Sequence, residues 1–165
     1  MALNAQILLS ILAHESDNGD ISQSLRATPA TYALALTDGT GANQAQVVWS
    51  DARPIDIAGE DTPDVRSLTD DRGTVAFSAV KAIYFRNTGD VPINWIGNGD
   101  WDTGPQKLPD ASNYEIPAGG AWLATNPTAG GWTATGTGEY ITLSNGSEST
   151  AASYEIIIIG EGTIT

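Results

Sequence analysis

The sequence predicts an all-β fold: an antiparallel β-sandwich or barrel, with a short N-terminal helix or arm. Three observations carry this reading. From Thr31 onward apolar residues recur with a period of two, the signature of half-buried strands. Turn-forming clusters such as "DGTGANQ", "PAGG" and "TGTG" punctuate the chain at intervals of about 8–12 residues, with no helical pattern between them. The one stretch with helical spacing lies at the N-terminus, where Leu3, Ile7, Leu8, Ile11 and Leu12 fall three or four residues apart.

Taken in order, residues 3–13 are expected to be helical and to end at "HESDNGD". A polar connection follows to Pro29. "TYALALT" is the first strand, with Tyr32, Leu34 and Leu36 on one face and alanines on the other. "AQVVWSD" (45–51) is the second. Residues 52–73 read as irregular, with a short strand at 55–57. The strongest strand is 75–87: Val80, Ala82 and Tyr84 are expected on one face, Ile83 and Phe85 on the other. A strand apolar on both faces must be covered from both sides. After the turn at Asn87–Asp90 come strands at 91–97, 114–116, 121–125, 131–135, 139–144 and 153–160. The domain division is therefore 1–30 for the N-terminal helix or arm with its linker, and 31–165 for the β-sandwich.

The last strand, "YEIIIIG", sets the sharpest requirement. Tyr154, Ile156 and Ile158 face one way; Ile157 and Ile159 face the other. Four uncharged β-branched residues in a row aggregate if left open. One face fills the sandwich. The other needs segment 3–13 over it, or a neighbouring subunit.

Composition narrows the function. The 165 residues suit one domain. With no cysteine, disulfides, thiolate nucleophiles and Cys-bound zinc are excluded. Twenty acidic side chains against seven Lys and Arg give a net charge of −13. Phosphate backbones and anionic membrane surfaces repel such a chain, so neither nucleic acid nor membrane is an expected partner. No apolar run reaches the roughly 20 residues of a membrane span. No basic residue precedes the N-terminal apolar stretch, so a secretory signal is not expected. Asn145-Gly146-Ser147 matches a glycosylation pattern but reads as a turn.

Catalytic patterns are weak. His14 is the only histidine and closes the expected helix; a Ser-His-Asp relay would have to use it. Carboxylates cluster at Glu60, Asp61 and Asp64, at Asp70 and Asp71, and at Asp100 and Asp102, in segments that look exposed, where raised pKa values are not expected. Asp17-Asn18-Gly19-Asp20 fails as a calcium loop because Thr28 stands at its twelfth position. Asn98, Asp100 and Asp102 alternate and could join a hard-cation site; a solvated loop is the expectation. Of the five tryptophans, Trp49, Trp95 and Trp122 sit in strand patterns suited to core packing, while Trp101 is the candidate for stacking on a glycan. No catalytic residue, cofactor or metal is assigned, and the chain is expected not to be an enzyme.

Longer stretches carry a resemblance. These are "YALALTDGTGANQAQVVWSDAR", "SLTDDRGTVAFSAVKAIYFRNTG" and "IPAGGAWLATNPTAGGWTATGTGEYITLSNGSESTAASYEIIIIGEG". Their "DGTGANQA" loop, "VKAIYFRN" strand, "PAGG" turn and Tyr-then-Ile terminal strand resemble small β-rich virion structural proteins of tailed bacteriophages. The resemblance covers residues 31–162 and rests on turn and strand chemistry. It implies a jelly-roll-like body in a capsid or tail, and no catalytic residue. The expected function is that of a capsid decoration (cement) protein, localised to the virion and assembled in the host cytoplasm. Its partner would be the major capsid protein, and it would form a homo-oligomer, trimer or dimer. The alternatives are a tail or fibre component and a carbohydrate-binding or adhesin module using Trp101. The candidate interface residues are Leu3, Ile7, Leu8, Ile11, Leu12, Ile157 and Ile159.

Overall fold

The computed structural model describes residues 2–11, 14–16, 24–26, 30–96, 112–134 and 139–165. Among these the chain is all β, with fifteen strands and no helix. The sandwich uses eight of them in two sheets. The first contains β6 (Val47–Ile55), β9 (Gly73–Asn87), β12 (Ala121–Thr125) and β15 (Ala152–Ile164), in the order β12-β9-β15-β6. The second contains β7 (Glu60–Asp61), β10 (Ile93–Ile96), β11 (Ser112–Ile116) and β14 (Thr142–Asn145), in the order β11-β10-β14-β7. Numbered 1 to 8 along the chain, these strands read 6-3-8-1 and 5-4-7-2. That is the doubled Greek-key order of a jelly roll. Two short strands, β8 (Leu68–Asp70) and β13 (Trp132–Thr133), complete the free side of β9.

The core lies between the two sheets. Phe77, Ile83, Phe85, Ile93, Leu143, Tyr154, Ile156 and Ile158 are fully buried there. Burying each such side chain contributes about 1.5–3 kcal/mol. Phe85 organises the aromatic centre: it stacks on Tyr154 at 5.0 Å and meets Trp95 edge-on at 5.8 Å. Trp95 in turn touches Trp122 at 4.9 Å. Pro54 lacks a donor N–H, and it sits in β6, an edge strand, where the loss is tolerated.

A third layer covers the outer face of the first sheet. It is formed by β1 (Asn4–Ile11), β4 (Ala30–Asp38) and β5 (Gln44–Ala45), in the order β1-β4-β5. Residues 30 and 31, where the sequence divides arm from sandwich, thus open a strand that pairs with β1. Leu34, Leu36 and Ala45 bury against Ile159 and Ala82 of the sheet, with Leu3, Ala5 and Ile7 packed alongside. Between β1 and β4 in the chain, β2 (His14–Ser16) pairs antiparallel with β3 (Ser24–Arg26).

The N-terminal helix expected at 3–13 is therefore corrected to a strand. The segment carries two apolar rhythms at once: Leu3, Ile7, Leu8 and Ile11 at helical spacing, and Leu3, Ala5, Ile7, Leu9 and Ile11 at every second residue. The alternating strand β4 supplies a partner for the second rhythm, with Ile7 opposite Leu34 and Ala5 opposite Leu36. Tertiary pairing overrides the helical pattern. The strand expected at 55–57 also moves: Ile55 closes β6, Ile57 lies exposed in a turn, and pairing resumes at β7.

A second correction concerns Val80. Opposite β15, Ile159 pairs with Ala82 but Gly160 pairs with Val80, so Lys81 is an extra residue in β9. This bulge reverses the alternation. Val80 consequently points into the core with Ile83, while Ala82 stays on the outer face. The displaced Lys81 is fully buried. Its Nζ donates to the carbonyls of Thr128 and Ala129 and pairs with Glu161 Oε1 at 2.8 Å. The bulge needs glycine across from it. A Cβ on Gly160 would stand 2.1 Å from the Ala79 carbonyl oxygen, whereas one on Gly130 would meet nothing within 4 Å. Gly160→Ala should destabilise the protein by about 3 kcal/mol, the upper range for overpacking a filled site, with Gly130→Ala as a near-neutral control. Urea titration of both variants checks this; equal midpoints would refute the steric role of Gly160.

Candidate functional site

Apolar surface concentrates where the third layer ends. Side chains on the outer face of the first sheet form rows across the strands. Ile159 of β15 stands beside Ala82 of β9, and one step along the strands Ile157 stands beside Tyr84, which stands beside Leu123 of β12. The β1–β4 hairpin covers the first row, leaving Ile159 buried. It stops short of the second. Ile157 is 38% exposed, and Tyr84 and Leu123 are half-buried. Between this row and the Gln6–Leu9 stretch of β1 runs a groove of about 600 Å³, and no residue lining it carries a charge. In the next row outward Arg86 pairs with Glu155 at 4.0 Å in solvent.

The hairpin itself continues the patch. Leu8 is 68% exposed and Ile11 58%; Leu9 and Tyr32 are also open. Leu8 pairs with Ala33, on the hairpin face turned away from the buried Leu34. The Tyr32 hydroxyl and the Thr125 hydroxyl bond at 2.9 Å, tying β4 to β12. Single exposed apolar residues are ordinary, but a contiguous apolar patch on an acidic protein marks an interaction surface.

The seven interface residues named from sequence divide accordingly. Leu3 and Ile7 are half-buried against the protein's own sheet, and Ile159 is buried there. Leu8 and Ile157 are exposed and line the groove, and Ile11 is exposed at the end of β1. Leu12 lies outside the described residues, as do Trp101, Asn98, Asp100 and Asp102. His14 lies in β2. Sequence reasoning missed Tyr84, Leu123 and Leu9. Their membership follows from cross-strand register, which periodicity within one strand does not reveal.

A second cluster joins the two sheets at their edge. Arg53 of β6 donates to both carboxylate oxygens of Asp61 in β7, Nε to Oδ2 at 2.6 Å and Nη2 to Oδ1 at 2.9 Å. The Tyr154 hydroxyl donates to the same Oδ2 at 2.7 Å. Burial alone raises the Asp61 carboxyl; the bonds from Arg53 and Tyr154, with the Arg53 charge, outweigh it and hold the group below its ordinary 3.8. Burial, then the Asp61 hydrogen bond and charge, push the Tyr154 phenol well above its usual value. The Asp61 hydrogen bond likewise keeps Arg53 firmly protonated. All three groups are engaged with one another, and no base or nucleophile is left poised. The cluster is a clamp between the sheets.

Two further aspartates hold nearby backbone and arginine groups. Asp64 Oδ1 accepts from the Arg66 amide, and Asp70 holds Arg72 through its amide and guanidinium. Among the described residues no group of three His, Cys, Asp or Glu is placed to hold a metal ion. Asn145 is nearly fully buried, its amide donating to the Asp56 and Thr150 carbonyls while its oxygen accepts from the Ser147 amide. That amide nitrogen is committed to the turn and is closed to a glycan. Trp49, Trp95 and Trp132 are buried, and Trp122 is half-buried against Trp95. No protein-family model, curated protein or solved structure matches the chain.

A carboxyl depressed in the folded state stabilises it above the unfolded pKa, and that contribution is lost as pH falls through the folded value. Asp61→Asn should therefore lower stability by about 1–3 kcal/mol at neutral pH, toward the low end because solvent reaches Arg53. The gap to wild type should hold down to the ordinary carboxylate value of 3.8 and shrink below it. Denaturant titrations at neutral pH and at about pH 3 measure it; a gap that did not narrow in acid would overturn the clamp's charged character.

Proposed function

We propose that the protein is a non-enzymatic virion structural protein of a tailed bacteriophage: a capsid decoration protein that binds the assembled shell. The observation that carries this reading is the uncharged apolar surface formed by Leu8, Leu9, Ile11 and the Ile157 groove on a body of net charge −13. Mutual repulsion keeps free copies apart, and the apolar surface gives them one place to dock. The resemblance of residues 31–162 to phage virion proteins and the jelly-roll strand order support it further. The partner would be the major capsid protein, bound in the virion after assembly in the host cytoplasm. Copies would group as a trimer or dimer on the shell.

The mechanism needs no chemistry. A protein that binds the assembled lattice better than free subunits stabilises the lattice by mass action. Docking a tail or fibre lattice would use the same surface, but nothing on the body favours that location. The carbohydrate-binding alternative finds no exposed tryptophan platform among the described residues.

Cosedimentation with assembled shells of the major capsid protein of the same virion tests the reading. Wild type should pellet with shells. The double substitution Leu8→Asp and Ile11→Asp should weaken binding at least about tenfold without unfolding the body, since both side chains are already in water. Wild type left in the supernatant would sink the decoration reading; unimpaired binding by the double variant would move the interface elsewhere.

A further inference from the structure

The groove and the strand beside it form one receptor. Thr37 N donates to Asn43 O and Gly39 N to Ala45 O, so the odd-numbered residues of β4 turn their backbone groups toward β5. Alternate residues of an extended strand turn these groups to opposite edges. Leu34 and Leu36 therefore face β1, and their partners Ile7 and Ala5 face back. The Leu3 amide, which donates to Asp38 on β4, is in the same phase. The backbone N–H and C=O groups of Gln6, Leu8 and Ser10 thus point the other way. Among the described residues no strand pairs with that edge. No charge, proline or bulge guards it either, although natural edges usually carry one of these.

The place beside this edge has a floor, the Ile157–Tyr84–Leu123 row. A strand added to β1 would find backbone partners on one side and apolar side chains beneath. Among the described residues, the third layer, β5-β4-β1, stops one strand short of covering that floor. We propose that this slot accepts an extended, uncharged segment of another polypeptide by strand addition. Its backbone pairs with Gln6, Leu8 and Ser10, and its alternate apolar side chains seat on Ile157, Tyr84 and Leu123.

A second copy's β1 does not suit the slot. Every β1 already rests on its own central sheet, which continues beneath the groove. Pairing two such edges about a two-fold axis would drive two central sheets into one volume. The occupant must be unbacked on the face it presents, as a terminal arm or an extended loop is. It must also be uncharged there, because the lining offers no counter-charge. Naming it an arm of the shell subunit rests on the capsid reading; the strand-accepting geometry does not.

Leu8 separates strand addition from simple apolar contact. Its side chain is exposed and its N–H points to the open edge, so proline there removes a donor from the slot and spares the pairing with β4. Leu8→Thr shortens the side chain and keeps the donor. Shell cosedimentation should show Leu8→Pro weakened at least about tenfold and Leu8→Thr much less, with both variants melting like wild type. If wild type binds and Leu8→Pro binds equally well, strand addition is overturned while the capsid reading stands. If wild type binds no shell, the peptide acetyl-Thr-Val-Thr-Val-Thr-Val-amide decides, with NMR of the Gln6, Leu8 and Ser10 amides and the Ile157 methyls as readout. Shifts in these signals that are lost in Leu8→Pro keep the strand acceptor with a different partner. No shift removes it.

Discussion

The fold depends on covering both faces of β15. Its Tyr154, Ile156 and Ile158 fill the sandwich, while Ile157 and Ile159 look outward from the same strand. β15 lies between β9 and β6, so backbone pairing is satisfied and only the outer face remains open to water. A two-sheet sandwich tolerates polar residues there and has no need of a third layer. This chain places isoleucine there instead and adds the β1–β4 hairpin as the cover. The hairpin buries Ile159 and leaves Ile157 open, and that difference of one row creates the groove.

The same strand ends in a device that locks the register. Gly160 and Gly162 each sit where a Cβ would meet a backbone oxygen of β9, at Ala79 and Ala76. Their absence of side chains lets β9 carry extra residues, and the alternation slips. The slip turns Val80 inward and puts Lys81 where it can reach the carbonyls of Thr128 and Ala129 and the carboxylate of Glu161. A buried lysine left unpaired would be strongly destabilising; here two carbonyls accept from the ammonium and the Glu161 carboxylate lies at ion-pair distance. Lys81 thereby fixes the loop whose Pro127 carbonyl accepts the Asn43 amide from the third layer. Bulge, lysine and covering layer are mechanically one unit.

Sequence patterns revealed several strands well because apolar runs bounded by turn residues are local signals. Strands β4, β9 and β12 lie where apolar runs and turn residues place them, while β6 continues to Ile55 and β15 to Ile164, past the expected 45–51 and 153–160. The inward and outward isoleucines of β15 also separate as alternation requires. Three kinds of information were not local. The N-terminal segment fits helical and strand periods equally, and only the strand β4 decides between them. The bulge at Lys81 depends on glycines some 80 residues away in the chain. The groove is assembled from Leu8, Tyr84, Leu123 and Ile157, on four different strands, so no window of the sequence contains it. Of the interface set chosen by apolar character, those that pack within the chain and those that remain outside differ only by register.

An open, uncharged strand edge beside an apolar floor is an aggregation hazard, and its persistence in this chain calls for a physical reason. Protection here is not local: from Asn4 to Ile11 β1 has no charged residue at all. It comes from the whole molecule, because copies carrying −13 each repel one another before their edges meet. It comes also from geometry, since each β1 is backed by its own central sheet and two edges cannot approach squarely. Neither barrier opposes a thin, unbacked, uncharged strand. The features that keep like molecules apart therefore leave the slot free for a different chain.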